Sequence, residues 1–413
     1  MASAKLKDSA ALKVRLMCEG VRYTAALGAA AAHSMPNYYP YRFKPGEPDP
    51  FGKGTAPIPY LMNTPDGTEI RVLGNGDSPW AVQGSRESGY ELVDDKGQQR
   101  LPIVFEPIHP WFTQKTPDGV AFAQAGVTTH GDMLVINVAP GCEYFLHKHE
   151  GQSMRCTFCN YGAPDTRLGP LGQKPGQVEI PESTLERMAQ AMAAVVEQTE
   201  IRHIYLVGGS LTDPQREADR FLQLARFVKQ ANARRIPVAL GSGALPDEAI
   251  ARFKAEALVD HVCFNLEVWS EPLFAKVCPG KNRYVGYGKW IESLENAVRH
   301  FGRGNVFSAM VAGVELEPEH DMEWEQAADL ALQGAEDLCG RGIIPVYSLV
   351  WPVGGRQRPD YHQRLFNYFE KFSLGYRDIR KKHALRIPET FMCHRCAYMQ
   401  VECDLDRQEP PAR

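Results

Sequence analysis

Three thiols fall close together in the stretch GCEYFLHKHEGQSMRCTFCNYG, Gly141 to Gly162: Cys142, Cys156 and Cys159, spaced C-x13-C-x2-C in a chain that has ten cysteines. Three thiolates around an open position suit a [4Fe–4S] cluster with one iron left free for a further ligand. Four protein ligands would instead close a structural zinc site, the commoner meaning of C-x-x-C by itself. Cys142 also has a plain alternative as a buried core cysteine, with His147, His149 or an external ligand completing the set. A second group, FMCHRCAYMQVECD, holds Cys393, Cys396 and Cys403 in the spacing C-x2-C-x6-C. It fits either an auxiliary Fe–S cluster or a structural zinc, the latter with His394, Asp404, Cys278 or Cys339 as fourth ligand.

The elements that would carry these residues follow from hydrophobic periodicity. Alanine-rich residues 8–33 predict a helix. Residues 36 to about 131 are rich in prolines, glycines and turn signals, with TPDG at Thr64–Gly67 and again at Thr116–Gly119, and short runs such as TEIRVLG and LPIVFEPI between them. This is a β-rich accessory region. From about Asp132 the rhythm changes. MLVINVAPG reads as a buried parallel strand, and STLERMAQAMAAVVEQ as a helix with Leu185, Met188, Ala189, Met192, Val195 and Val196 on one face and a Ser183–Glu186 capping box.

Five more strand–helix pairs follow: HIYLVGG with a helix over 214–233, PVALGSG with 245–256, HVCFNLEV with 287–301, VFSAMVAGVE with 319–340, and IIPVYSLVW with 359–382. Six β-α units imply a parallel sheet covered by helices, either doubly wound or a partial barrel, with the site at the C-terminal ends of the strands. Cys142 directly follows the first strand, which places all three thiols at that end.

This arrangement resembles the radical S-adenosylmethionine (SAM) superfamily, whose members carry C-x-x-x-C-x-aromatic-C after the first strand of a partial (βα)6 barrel. CTFC matches the second half, with Phe158 at the aromatic position. In the first half Gln152 occupies the usual cysteine position, and Cys142 supplies the thiolate from the strand end in an expanded loop. YLVGGSLTD resembles the glycine-rich motif after the second strand, with Gly208, Gly209 and Ser210 whose backbone would meet the amino group of SAM; glycine permits that close approach. By itself GGSLTD could be a tight strand-to-helix turn. Asn265 and Glu267 in FNLEVW resemble the fourth-strand groups that hold the ribose or methionyl carboxylate. Ser308, Gly313 and Glu315 in SAMVAGVE resemble the fifth-strand motif near the adenine.

The resemblance covers roughly residues 130 to 350. It implies a partial TIM-like barrel over 131–385, an N-terminal accessory region over 1–130 and a cysteine-bearing extension with tail over 386–413. It also implies a [4Fe–4S] cluster, SAM, an electron donor such as flavodoxin or ferredoxin, oxygen sensitivity, and reductive cleavage of SAM to a radical that abstracts hydrogen from a substrate. The missing cysteine-rich pattern of peptide-modifying extensions favours a small-molecule substrate. Arg283, Arg356 and Lys281 are candidates for an acidic substrate, although a solvated surface charge is the default for each. His147 to Glu150 reads as an exposed polar loop, and Met188 and Met192 as helix core.

Composition sets limits. Hydrophobic residues are 44% and charged residues 23%, as in ordinary globular proteins. A net charge of -4 leaves no footprint for nucleic acid or anionic membrane. No apolar run reaches the roughly eighteen residues of a membrane span, and the N-terminus lacks a secretory h-region. The expected compartment is the cytoplasm, where clustered thiols point to metal or redox chemistry rather than disulfides. The rival class is a zinc-stabilised scaffold or binding protein using both cysteine groups structurally.

Overall fold

The computed structural model describes residues 8–37, 39–97, 99–139, 141–159, 179–350, 360–388 and 401–408. They divide into two compact units, one of Met1–His109, Arg358–Leu374 and Arg395–Arg413, the other of Pro110–Gln357 and Gly375–His394.

The first unit begins with α1 (Asp8–Glu19) and α2 (Ala25–Ala31). Residues 8–33 are therefore two helices, not the one expected. Gly20 breaks them, at φ 67°, where a Cβ would stand 2.7 Å from the Leu73 carbonyl oxygen. Val21 and Arg22 then bridge to Gly74 and Ala81, and the Thr24 hydroxyl caps α2 at the Leu27 amide. A small pair, β1 (Tyr41–Arg42) with β2 (Thr55–Ala56), precedes a five-stranded antiparallel sheet. Its strands are β3 (Leu61–Asn63), β4 (Glu69–Arg71), β5 (Trp80–Ser85), β6 (Gly89–Asp94) and β7 (Arg100–Phe105), in the order β4-β3-β7-β6-β5. The expected β-rich character is thus present. The Thr64–Gly67 turn closes β3–β4, with the Gly67 amide on the Thr64 carbonyl at 2.9 Å and Gly67 at φ 80°. The second TPDG turn has the same form, with Gly119 at φ 87°.

The second unit is the β-α unit series. Its sheet contains β8 (Val127–His130), β9 (Met133–Ile136), β12 (His203–Leu206), β13 (Val238–Ser242), β14 (His261–Phe264), β15 (Val306–Ala312) and β16 (Ile343–Leu349). Their order is β16-β15-β14-β13-β12-β9-β8, and the six strands from β9 to β16 are all parallel. Between β9 and β12 a short hairpin pairs β10 (Lys148–His149) with β11 (Gln152–Ser153).

The helices are α3 (Glu182–Gln198), α4 (Pro214–Ala231), α5 (Asp247–Ala255), α6 (Glu271–Val277), α7 (Pro279–Tyr284), α8 (Tyr287–Phe301), α9 (Trp324–Gly340) and α10 (Tyr361–Lys382), the last entering this unit at Gly375. A short α11 (Val401–Gln408) belongs to the first unit.

Sequential strand order settles the choice left open by the alternation. A doubly wound sheet reverses its order at a switch point; this one never does, so every crossover steps the same way. Right-handed crossovers then put the helices on one face, and the sheet curls into a half-barrel. The structure adds β8, which pairs antiparallel with β9 and caps the sheet edge, and the helices α6 and α7, which sequence periodicity passed over. On α3 the expected face is buried at Leu185, Met188, Met192, Val195 and Val196, while Ala189 is only half-buried and Ala191 is buried in addition. The capping box is not formed: Pro181 stands at the N-cap with no side-chain bond. A proline there leaves its missing N–H without consequence. Among the described residues no helix is long and apolar enough to cross a membrane.

Candidate functional site at the rim of the half-barrel

Because β9 and β12 pair in register up to Ile136 and Leu206, the loops that leave them begin side by side. The ladder continues past the strands: the Val207 amide donates to the Ile136 carbonyl at 2.9 Å and the Gly209 amide to the Ala139 carbonyl at 2.9 Å. One residue on, the Glu143 amide donates to the Ser210 carbonyl at 2.8 Å. Gly209 fits because it has no side chain. A Cβ there would lie 2.2 Å from the Gly141 oxygen and 2.4 Å from the Cys142 nitrogen. The glycine motif and Cys142, 66 positions apart in sequence, therefore share one backbone junction. The buried Arg220 guanidinium donates to the Gly209 carbonyl. Glu217, one turn earlier on α4, accepts from the Leu211 amide at 2.8 Å and the Gly243 amide at 2.7 Å, joining the loops after β12 and β13.

Cys142 is half-buried and precedes a 3-10 turn over Glu143–Phe145. Burial pushes its thiol up to about 12, and the neighbouring Cys156 adds to this, while the amides of Tyr144 and Ser210 act the other way. Those two amides are ready donors for a thiolate. Cys156 is buried. Its thiol is held protonated to well above the usual cysteine range, first by a side-chain hydrogen bond with Cys278, then by burial. Cys159 is half-buried and closes a turn through its amide to the Cys156 carbonyl at 3.1 Å. Phe158 lies half-buried between them.

His147 hydrogen-bonds Tyr284 at 3.1 Å through Nδ1, and Tyr284 stacks on the buried Tyr144 at 5.9 Å. His149 sits on the β10–β11 hairpin. Glu150, with φ 49°, turns that hairpin together with Gly151.

The expected polar residues of the fourth and fifth strands have defined partners. Glu267 follows β14 at φ 74° and forms an ion pair with Lys281 at 2.6 Å. Lys281 also donates to the Asn265 carbonyl at 2.6 Å and lies 4.8 Å from the Trp290 ring centre. Burial pulls the Lys281 ammonium down, but Glu267, Cys156 and Cys278 together outweigh it and shift it up. Burial raises the Glu267 carboxyl, partly offset by Lys281.

The default reading of Lys281 as a solvated surface charge is overturned: it is 4% exposed. The Asn265 side chain accepts from the Cys263 thiol at 3.7 Å. Ser308 is fully buried, donating to the Phe264 carbonyl and accepting from the Leu266 amide, so its hydroxyl ties β14 to β15. Arg283 lies on α7. Beyond β15, Gly313 adopts φ 89° and leads into a turn where Glu315 is buried, with Oε2 lacking any hydrogen-bond partner. Burial lifts its carboxyl to about 7.

The structure thus brings together Cys142, Cys156, Gly208, Gly209 and Ser210, with Asn265 and Glu267 grouped around Lys281. Sequence reasoning missed Tyr144, Glu217 and Arg220 as site residues, and it offered Cys278 only as a fourth ligand for the C-terminal cysteines, whereas Cys278 lies beside Cys156. The signal for Cys278 was the Cys-Pro-Gly stop between two short helices; the signal for the other pair was Glu217 and Arg220 spaced one turn apart at the start of a helix. Asp404, one candidate fourth ligand, is buried in an ion pair with Lys13 at 2.6 Å, and Cys339 is buried on α9. Cys393, Cys396, His394 and Arg356 lie outside the described residues, as does the side chain of Cys403. Among the described residues no three His, Cys, Asp or Glu side chains converge tightly enough to hold a single ion.

Half-barrel, thiol-bearing first loop and glycine motif are the features through which the chain resembles the radical SAM enzymes. A curated relative of the chain is the bacteriochlorophyllide c C-7(1)-hydroxylase of Chlorobaculum limnaeum, 24% identical over 361 residues, which cover 84% of this chain and 79% of that protein. Among solved structures, a radical SAM methyltransferase from Sphaerobacter thermophilus matches 73% of this chain and 76% of its own at 15% identity, TM-score 0.39. The FeFe-hydrogenase maturase HydG from Carboxydothermus hydrogenoformans matches 61% of this chain and 56% of its own at 13% identity, TM-score 0.39. No family model matches the chain.

Proposed function

We propose that the chain holds a [4Fe–4S] cluster through Cys142, Cys156 and Cys159, binds SAM beside it, and starts radical chemistry on a small-molecule substrate. The observation that carries this reading is the junction between Gly209 and Cys142. It seats the glycine motif against the cysteine loop with no space for a side chain.

The donor set fits the group. Cys142 faces two backbone amides suited to a thiolate, Cys156 is buried among thiols and an ammonium, and soft thiolates are the ligands Fe–S clusters take. When bound, the cluster and SAM would supply the electron and the carbon-centred radical that the fold alone cannot make. The chain's own residues do the rest. Gly208 and Gly209 let the backbone after β12 close against Ala139 and the Gly141–Cys142 segment, and Glu217 keeps the loops after β12 and β13 in register. Buried Tyr144 and Met154 keep water from the thiols, and Lys281 places a positive charge near them that offsets the negative charge of a thiolate-ligated cluster. An electron donor of the flavodoxin or ferredoxin kind completes the reading. The relative's activity, hydroxylation of a bacteriochlorophyllide, supports a non-peptide substrate.

Anaerobic purification with iron, sulfide and the 400 nm band measured tests this. Iron near four per chain, with about one cluster's worth lost in Cys142→Ala, supports C-x13-C-x2-C as the ligand set. Iron near eight adds the group Cys393, Cys396 and Cys403 as a second cluster. A colourless protein that binds only zinc overturns the reading in favour of a scaffold.

A further inference from the structure

The loop before Cys159 is held from across the chain. The Gly280 amide donates to the Met154 carbonyl at 3.0 Å, and the Thr157 amide donates to the Val277 carbonyl at 2.9 Å. As 154 pairs with 280 and 157 with 277, the two segments run antiparallel about a fixed sum, and Cys156 falls opposite Cys278. Gly280 allows the approach: a Cβ there would lie 2.4 Å from the Met154 oxygen and 2.8 Å from the Tyr144 ring. Cys278 is fully buried at the junction of α6 and α7. Cys156 is buried at the same junction, and its thiol is in hydrogen-bond reach of the Cys278 thiol. The spacing of the cysteines gives no reason for a fourth thiol here, and packing alone would be met by valine or alanine.

We propose that Cys278 is a positioning residue for the iron-bound sulfur of Cys156: its S–H donates to that sulfur and raises the reduction potential of the cluster. This deepens the proposed function and rests on Cys156 being a ligand. A ligand thiolate has given up its proton, so of the two sulfurs only Cys278 retains one to donate. A donor withdraws electron density from the ligand sulfur and favours the more negative, reduced cluster. No bond is made or broken.

The test compares anaerobically loaded wild type, Cys278→Ala and Cys278→Ser. Iron and sulfide are counted, and the cluster is titrated with dithionite at controlled potential while the 400 nm band and the electron paramagnetic resonance signal are followed. The expected result is the same iron content in all three, a more negative midpoint in Cys278→Ala, and recovery of most of the shift in Cys278→Ser, which keeps a donor. Cys278→Val, closer in volume and without a donor, replaces Cys278→Ala if that variant does not fold; its expected midpoint is also more negative. An unchanged midpoint in the donor-free variant overturns the proposal. So does loss of one cluster's worth of iron in it, which would make Cys278 a ligand. A wild type that holds no cluster instead sinks the reading beneath the proposal and the proposal with it, and so distinguishes the two failures.

Discussion

Replacing Glu315 with glutamine should stabilise the protein above pH 7 and leave it nearly unchanged below pH 4.5. The carboxyl is 5% exposed, and its Oε2 has no hydrogen-bond partner. Burial is the main cause of its rise from 4.5 to about 7, with the amides of Glu315 itself and of Gly313 acting the other way. The folded-state value lies above the unfolded one, so between these limits the folded chain binds the extra proton. The stability associated with the neutral acid is complete below pH 4.5, declines through the window from 4.5 to 7, and is gone above it. A rise from 4.5 to about 7, at ~1.4 kcal/mol for each tenfold change in proton affinity, corresponds to roughly 3 kcal/mol. Glutamine keeps the shape and cannot ionise, so the variant should lack this slope. Urea unfolding of both proteins at pH 4.5, 6 and 8 measures it. The wild-type minus variant difference should grow with pH, reaching about 3 kcal/mol in the variant's favour at pH 8. A difference that does not vary with pH would show that Glu315 ionises freely in the folded chain, and the argument from burial would fail.

Two further perturbations probe the rim. Gly209→Ala forces a methyl into the Gly141–Cys142 backbone, where nothing flexible can yield; overpacking of this kind costs about 1–3 kcal/mol. A lower unfolding midpoint with reduced iron per chain is expected, and full iron with an unchanged midpoint would contradict the junction. Lys281→Met strands the Glu267 carboxylate and removes the donor to the Asn265 carbonyl, for a loss of about 3–5 kcal/mol. Adding Glu267→Gln should restore much of that loss in a double-mutant cycle by urea denaturation, and strictly additive losses would mean the pair is not coupled.

The six β-α units were legible in the sequence because buried parallel strands and one-faced helices leave strong periodic signals. So was the position of Cys142, since the end of the first strand fixes where the loop starts. The partners of the rim residues were not legible. Ser308 carries the composition of a ligand contact, yet its hydroxyl is taken by β14 backbone; only register across two strands decides that. Lys281 reads as a surface charge until α6 and α7 bring it under Trp290, and those short helices carry too few residues for a periodic pattern. The helix over 8–33 failed at Gly20, whose left-handed turn is dictated by Leu73, a residue far along the chain.

The long interval between Cys142 and Cys156 is the feature that most obscures the site in sequence, and the structure explains why it need not separate the thiols. The intervening chain does not wander. A 3-10 turn over Glu143–Phe145 reverses it once. The β10–β11 hairpin reverses it again around Glu150 and Gly151, two residues at positive φ as the tight turn requires. The Met154 amide then closes the excursion on the His147 carbonyl at 3.0 Å. Lengthening a loop adds little closure entropy, about 0.6 kcal/mol per doubling, and here the added residues bring hydrogen bonds of their own. Cys156 consequently returns close enough to Cys142 for its charge to act on the Cys142 thiol. Their separation is then set by Gly209 holding one end and α6–α7 holding the other, rather than by the number of residues between, so the long interval does not by itself count against the proposed ligand set.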